Sequence, residues 1–188
     1  MAMEKGQLSI HTENFLPIIK KWLYSDRDIF VRELVSNGCD AVAKRRMVGH
    51  IPEAYAPAIT VRVDKEHRIL SFTDNGEGMP AEEVRQYINQ VAFSGANDFM
   101  EKYKDSGEQI IGHFGLGFYS AFMVAEKVRI DTLSCIPGSA AVTWESDGSV
   151  EYSMEETARE EVGTTITLYL NDESDEFLDG AAMKNIIK

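Results

Sequence analysis

Three polar side chains near the start of the chain recur at helical spacing and could together hold a metal ion and activate water. Glu33, Asn37 and Asp40 are four and three residues apart within Ile29 to Met47, whose composition favours a helix. At about 100° per residue, these steps place all three side chains on one stripe. Oxygen ligands suit a hydrated Mg²⁺, and a carboxylate beside them can act as a base. A solvated helix face would show the same spacing.

The other side of this helix is predicted to pack against a core, and Asp26 is its expected N-cap. The two cysteines, Cys39 and Cys135, fit neither a disulfide framework nor a metal-ligand spacing. We therefore expect both to be small buried side chains in a reducing cytosol. The apolar positions of the helix are Phe30, Val31, Leu34, Val35, Cys39 and Val42.

A second motif, Asp74 to Met79 (DNGEGM), lies where a predicted strand ends and a helix begins. Its two glycines allow positive φ angles and close approach of a flat ligand. The Asp74 carboxylate could accept a hydrogen bond from an amino group such as that of adenine. An ordinary Asn-Gly turn before a helix is the alternative.

A third motif, Gly112 to Ser120 (GHFGLGFYS), precedes an apolar segment that is predicted to be helical from Leu116 to Ala125. Glycines at a helix N-terminus expose several N–H groups to one point, which suits a polyphosphate. The motif lacks the Gly-Lys-Ser/Thr of a P-loop and the glycine order of a Rossmann fingerprint. A tightly packed glycine turn remains the alternative.

Composition limits the class of protein. The 188 residues, 44% of them hydrophobic, suffice for one domain with a sizeable core. A net charge of -12 argues against nucleic-acid binding. No apolar run approaches a membrane span, and the start lacks a secretion signal. The last residues, Asn185 to Lys188, stop inside a periodic pattern, so the chain is expected to be a fragment of a longer protein.

Tight turns between successive strands favour an α+β, two-layer sandwich with a mixed, largely antiparallel sheet and helices on one face. The expected helices are 14–24, 29–47, 80–91, 116–125 and 176–188, and the expected strands are 7–11, 59–64, 68–73, 128–133, 141–145, 150–154 and 164–170.

The three motifs, in this order, resemble those of the GHKL-type ATPases with the Bergerat fold. Four segments are similar to the N-terminal ATPase domain of the ninety-kilodalton heat-shock chaperones, most closely the bacterial HtpG type. They are Leu23 to Asp40, Asp74 to Met79, Ile111 to Phe122 and Asp175 to Asp179. The resemblance implies that residues 1–188 are this nucleotide-binding domain, with a lid at about 94–111, and that the middle and C-terminal domains are absent.

The resemblance also implies roles for individual residues. Glu33 corresponds to the catalytic carboxylate that deprotonates the attacking water, Asn37 to the Mg²⁺ ligand, and Asp74 to the carboxylate that reads adenine. The other residues of the implied ATP/ADP site are Asp40, Lys44, Gly78, Met79, Gly112, His113, Phe114, Gly115, Leu116, Gly117, Phe118 and Thr164.

The implied function is slow ATP hydrolysis in a cytoplasmic heat-shock chaperone that assists protein folding. Its arginine for the γ-phosphate would come from the middle domain. ATP would close the lid and drive N-terminal dimerisation of a homodimer, unfolded or partly folded clients would be the partners, and ansamycin- or radicicol-type inhibitors could bind. Alternatives are a nucleotide-binding regulatory module, a histidine-kinase-like enzyme, and a topoisomerase- or mismatch-repair-like ATPase.

Several positions before the glycine loop depart from the family pattern. Tyr87 replaces an asparagine, and Asn89, Phe93 and Ala96 replace a glycine, a lysine and a threonine. These departures put nucleotide affinity and lid closure in question. The Tyr87 ring could fill space near the ribose or point into the core.

Overall fold

A single antiparallel sheet organises the chain in the computed structural model, which describes residues 3–7, 27–90, 117–149 and 151–188. The strands are β1 (Glu4–Gln7), β2 (Ile59–Asp64), β3 (Ile69–Asp74), β4 (Ala125–Leu133), β5 (Ala141–Ser146), β6 (Glu151–Thr157) and β7 (Gly163–Leu170). Their order is β1-β6-β5-β4-β7-β3-β2. Every pairing among these seven strands is antiparallel, so the expected sheet is confirmed and is less mixed than predicted.

The helical elements form the second layer. They are α1 (Ile29–Val48), α2 (Ala81–Val84), a π-helical turn (Arg85–Gln90), two 3₁₀ helices (Gly117–Met123 and Asp175–Leu178) and α3 (Gly180–Ile187). Helix α1 contacts β2, β3, the first 3₁₀ helix and α3. The predicted α+β architecture is therefore confirmed.

The core lies between these two layers, because alternate side chains of the strands face the helices. In β4, Val128 and Ile130 are buried between partly exposed neighbours. An aromatic group extends this core across the sheet. Phe118 meets the fully buried Trp144 edge-on at 5.8 Å between ring centroids, and Tyr152 stacks on the same indole at 6.3 Å.

The opposite face of the sheet is polar. The Arg129 guanidinium donates two hydrogen bonds to the Asp131 carboxylate, at 2.8 and 2.9 Å, and the Thr143 hydroxyl donates a third at 2.6 Å. Arg159 donates to the Thr165 hydroxyl at 2.9 Å. These bonds satisfy polar groups on a face that no described helix covers. Within the described part of the chain, no helix combines the length and apolar character that crossing a membrane requires.

The N-cap and cysteine predictions are wrong in part. Helix α1 begins after Asp28, so Asp28 rather than Asp26 is its N-cap residue. The Asp28 carboxylate makes no cap bond and instead accepts a hydrogen bond from Arg32 at 3.0 Å. Cys39 is exposed and Cys135 is only partly buried. The buried stripe of α1 runs through Gly38, and the next residue is rotated about 100° away from it.

The boundaries of two other helices also differ from the predictions. The segment predicted as a helix from Leu116 to Ala125 is a 3₁₀ helix at Gly117–Met123, and β4 already begins at Ala125. Its residues from Gly117 to Phe122 are all buried, so no 3.6-residue pattern could reveal its type. The C-terminal helix is split at Asp179, whose carboxylate caps α3 by accepting from the Ala181 N–H at 2.9 Å.

Candidate functional site

A cavity of about 320 Å³ lies between α1 and the sheet. Its volume is within the range of small-molecule sites, which is roughly 300–1,000 Å³. Ten of the predicted site residues line it, although they come from four separate parts of the chain. They are Glu33, Asn37, Asp40, Lys44, Asp74, Gly78, Met79, Gly117, Phe118 and Thr164.

Helix α1 supplies the polar wall of the cavity. The predicted stripe is confirmed as geometry, because Glu33, Asn37 and Asp40 all face the same cavity. The neighbouring stripe is buried, and Gly38 lies on it. A Cβ added to Gly38 would lie 3.5 Å from the Asp74 Cβ atom. Helix α1 therefore lies against the end of β3, with room at Gly38 for little more than a methyl group.

Glu33 lies where the glycine motif enters the first 3₁₀ helix. A Cβ added to Gly117 would collide with the Glu33 carboxylate, so the two residues are in direct contact. Any ligand group held by the backbone at Gly117 would therefore lie beside a carboxylate, as general-base catalysis requires. The rest of the predicted phosphate loop, Gly112 to Leu116 with His113, Phe114 and Gly115, lies outside the described residues, as does the predicted lid at 94–111.

Asp74 is the last residue of β3, and its Cα atom is paired with that of Thr164 on β7. Its carboxylate accepts a hydrogen bond from the Gly76 N–H at 2.8 Å. Burial raises the pKa of Asp74 to about 6, although the Gly76 and Thr164 N–H groups and the Arg159 charge favour the ionised form. The nearby Glu77 charge raises this pKa further. At neutral pH Asp74 is thus a poorly solvated acceptor, suited to an amino group.

Two buried threonines connect this acceptor to the adjacent turn. The Thr132 and Thr164 hydroxyl oxygens are 2.9 Å apart, and the Met79 N–H donates to the Thr132 hydroxyl at 2.9 Å. Thr132 lies outside the three sequence motifs. The available signal was a polar residue at an inward position of β4, two residues after Ile130.

The Asp74 to Met79 turn is held in place by its side chains. The Asn75 amide donates to the Ala56 carbonyl at 2.7 Å, and its oxygen accepts from the Ala58 N–H at 2.9 Å. The Asn75 carbonyl accepts from Arg45 at 2.7 Å and from the Tyr55 hydroxyl at 3.0 Å. The asparagine of the motif is thus a structural residue that joins the turn to the loop before β2.

The glycines of this turn permit close packing. Gly78 has φ +63°, and a Cβ on it would collide with the Leu133 carbonyl oxygen. We expect Gly78→Ala to lower the free energy of unfolding by at least about 3 kcal/mol, from left-handed strain and overpacking together. The matched control is Gly138→Ala, because Gly138 has φ +83° but nothing within 4 Å of an added Cβ.

Urea unfolding of both variants measures the two contributions separately. The control should lose only about 1–2 kcal/mol, which is the backbone strain alone. Equal losses for the two variants would show that the turn relaxes away from Leu133 and that the contact does not constrain it.

A charged group borders the solvent side of the cavity, and we call Lys44, Glu77 and Glu83 the rim. The Lys44 ammonium lies 3.7 Å from a Glu77 carboxylate oxygen. Burial raises the pKa of Glu83, with a further increase from Glu77 and an opposing decrease from Lys44. Sequence analysis named Lys44 but missed the roles of Glu77 and Glu83, which depend on tertiary contacts.

Tyr87 lies beside this rim in the π-helical turn. Its side chain lines the cavity and the residue is 50% exposed, so the ring does not point into the core. The alternative in which Tyr87 points into the core is therefore wrong, and its position near the ribose stays a prediction. Of the other atypical positions, Phe93 and Ala96 lie outside the described residues, as does the side chain of Asn89.

Metal binding at the cavity would rest on few protein ligands. No group of three His, Cys, Asp or Glu side chains in the described ranges could hold a metal ion. The exposed Asn37 and the adjacent Glu33 nevertheless offer oxygen atoms on one wall. Such a donor set fits Mg²⁺, which keeps several waters and takes ligands from substrate phosphates.

Comparisons with known proteins identify the family to which this chain is similar. Residues 25–173 match the family described as histidine kinase-, DNA gyrase B-, and HSP90-like ATPase. The chain is 50% identical over 188 residues to a protein named chaperone protein HtpG from Bacteroides fragilis, covering 99% of this chain and 28% of that protein. The HtpG proteins of Porphyromonas gingivalis and Sulfurimonas denitrificans are 44% and 39% identical, over 98% and 99% of this chain. The chain spans 28% and 31% of their respective lengths.

Proposed function

The chain belongs to the family of histidine kinase-, DNA gyrase B- and HSP90-like ATPases, and from this premise we propose that it binds ATP and ADP and hydrolyses ATP slowly, as the nucleotide-binding domain of an HtpG-type chaperone. One observation carries the proposal. The predicted adenine acceptor, Asp74, and the predicted catalytic base, Glu33, line the same cavity. A single nucleotide could therefore contact both.

The adenine end of the ligand is assigned to the interior of the cavity. Asp74 accepts a hydrogen bond from the adenine amino group, and the adjacent Thr164 hydroxyl contributes to the same edge. Met79 and Phe118 supply apolar surface for the base. At this end of the cavity, apolar walls beside a small number of placed polar groups are typical of small-molecule and cofactor sites.

The phosphates are assigned to the other end, where Glu33 contacts Gly117. Asn37 would hold Mg²⁺ with the phosphate oxygens, and the ion would supply neutralisation of phosphate charge. Glu33 orients a water molecule and accepts its proton as the water oxygen attacks the γ-phosphorus in line. The bond from the γ-phosphorus to the bridging oxygen breaks, and ADP leaves with the electron pair.

Hydrolysis by this chain is expected to be slow. Of the described residues that line the cavity, only Lys44 is a cation, and no arginine lines it there. A cation that reaches the γ-phosphate commonly accelerates phosphoryl transfer by orders of magnitude. In the full-length protein we assign that cation to the domain that follows.

Calorimetry with ADP and a single-turnover assay with ATP test this proposal. We expect saturable ADP binding by the 188-residue chain and turnover at least about 10-fold slower than in the full-length protein. Absence of ADP binding would overturn the nucleotide assignment. Equal turnover by both chains would overturn only the missing-cation argument.

For the whole protein, we propose a cytoplasmic chaperone that acts on unfolded or partly folded clients as a homodimer. Binding of ATP would close the lid and bring the N-terminal domains together, and ansamycin- or radicicol-type inhibitors would compete for the cavity. The identity to proteins named HtpG supports this function over that of a histidine kinase or a topoisomerase. ATP-dependent refolding of a denatured client by the full-length protein tests it.

A further inference from the structure

The backbone of Glu77 is fixed at the cavity from two sides. Its N–H donates to the Ala41 carbonyl on α1 at 3.0 Å, and its carbonyl accepts from the Cys135 N–H at 2.7 Å. The preceding Gly76 packs directly on α1, since a Cβ added to it would lie 2.6 Å from the Ala41 Cβ atom. Backbone contacts with α1 and with the segment after β4 therefore fix the position of the Glu77 Cα atom, from which the side chain extends.

The Glu77 carboxylate forms an ion pair with Lys44, which is the cation of the rim. The Lys44 side chain is 62% exposed and the Glu77 side chain 25% exposed, with 3.7 Å between ammonium and carboxylate. An exposed lysine side chain has several rotamers open to it, whereas the Glu77 side chain extends from a backbone that two hydrogen bonds hold in place. The ion pair therefore favours the lysine position in which the ammonium group lies near Glu77.

Charges around the cavity are strongly unbalanced. Its described lining contains five carboxylates and one cation. Lys44 also serves a second rim carboxylate, since its charge lowers the pKa of Glu83 while Glu77 raises it. A ligand with several negative charges meets repulsion here, and the cation that could offset the repulsion is already paired. An uncharged ligand of the same cavity meets no such penalty. The carboxylates are Glu33, Asp40, Asp74, Glu77 and Glu83.

We propose that Glu77 sets the charge preference of the cavity: it holds Lys44 and adds a negative charge, and so weakens the binding of ATP relative to adenosine. The inference rests on the proposed function, because it needs an adenine ligand in this cavity. Glu77 acts as a specificity-determining residue without taking part in the reaction. Its effect is electrostatic, so it weakens as ionic strength rises.

The test compares ATP and adenosine affinities of Glu77→Gln and the unmodified 188-residue chain by calorimetry, without divalent metal. We expect ATP to bind about 3- to 10-fold tighter to the variant and adenosine to change less than about twofold. In high salt the ATP gain should shrink. In a Lys44→Met background it should also be smaller, because no cation is released.

Glu82→Gln is the matched control, since Glu82 is a nearby exposed glutamate that does not line the cavity. It should leave the ratio of the two affinities unchanged. A ratio unaffected by Glu77→Gln, or shifted equally by the control, would overturn the inference. Glu77→Met provides a second uncharged variant, and thermal unfolding confirms that each variant folds. Failure of the unmodified chain to bind either ligand would instead overturn the proposed function.

Discussion

The Asp74→Asn substitution is expected to weaken ADP binding at least about 100-fold, because a site built around one buried hydrogen bond rejects a mismatched partner strongly. An amide has less acceptor capacity than a carboxylate and can present a donor to the adenine amino group. Calorimetric titration with ADP measures the effect. The control is Asp64→Asn, which alters an exposed carboxylate on the neighbouring strand β2 and should leave binding unchanged.

Loss of binding through unfolding can be distinguished from loss of the acceptor. Because the folded-state pKa of Asp74 is raised to about 6, its stability contribution is fully present at low pH and is lost as pH rises through that value. At pH 7 the ionised carboxylate lowers stability by about 3 kcal/mol relative to its protonated form. The asparagine variant should therefore keep or raise its melting temperature while losing ADP.

The same carboxyl group should make ADP binding depend on pH. Affinity is expected to fall as pH is lowered through about 6, since the protonated form presents a donor. The asparagine variant should not show this dependence. Full ADP affinity in the variant at every pH would reject the adenine assignment.

The Glu33→Gln substitution is expected to lower ATP turnover in the full-length protein by at least about 100-fold while preserving nucleotide binding. Loss of a positioned general base typically lowers the rate about 10²–10⁴-fold. Binding should persist or strengthen slightly, because the amide removes a negative charge from the phosphate end of the cavity. Single-turnover hydrolysis and ADP calorimetry on the same preparation measure the two effects.

Glu66→Gln provides the control for this experiment, because Glu66 is an exposed glutamate in the turn between β2 and β3, outside the cavity. Its turnover should match that of the unmodified protein. Joint loss of binding and turnover in Glu33→Gln would mean that Glu33 supports the Gly117 contact and is not the base.

Local patterns in the sequence predicted the parts of the site that one element determines. The stripe of Glu33, Asn37 and Asp40 depends only on helical geometry, and α1 has the predicted start at Ile29. Likewise, the β2–β3 hairpin follows from two β-rich runs around a short turn, and both strands lie within one residue of the predicted bounds. The residue types at Asp74 and in the Gly112 to Ser120 motif suggested an amino-group acceptor and a polyphosphate loop, and the resemblance then assigned both to one ATP site.

Features that depend on contacts between distant elements were not predictable in this way. Thr132 supports the site from behind, through its contact with Thr164, because β4 and β7 are neighbours in the sheet. Glu77 is a rim residue because the turn packs on α1 near Lys44. The first 3₁₀ helix is buried on all sides, and so its hydrophobic pattern could not distinguish it from an α-helix.

The aromatic contact between Phe118 and Trp144 gives the molecule an internal optical reporter. Phe118 lines the cavity, and its ring meets the buried indole at 5.8 Å. The sequence contains two tryptophans, so a Trp22→Phe variant would leave Trp144 as the single indole fluorophore. A ligand that shifts the Phe118 ring would alter the surroundings of that indole. Occupancy of the cavity could then be followed by intrinsic emission, without a label and in real time.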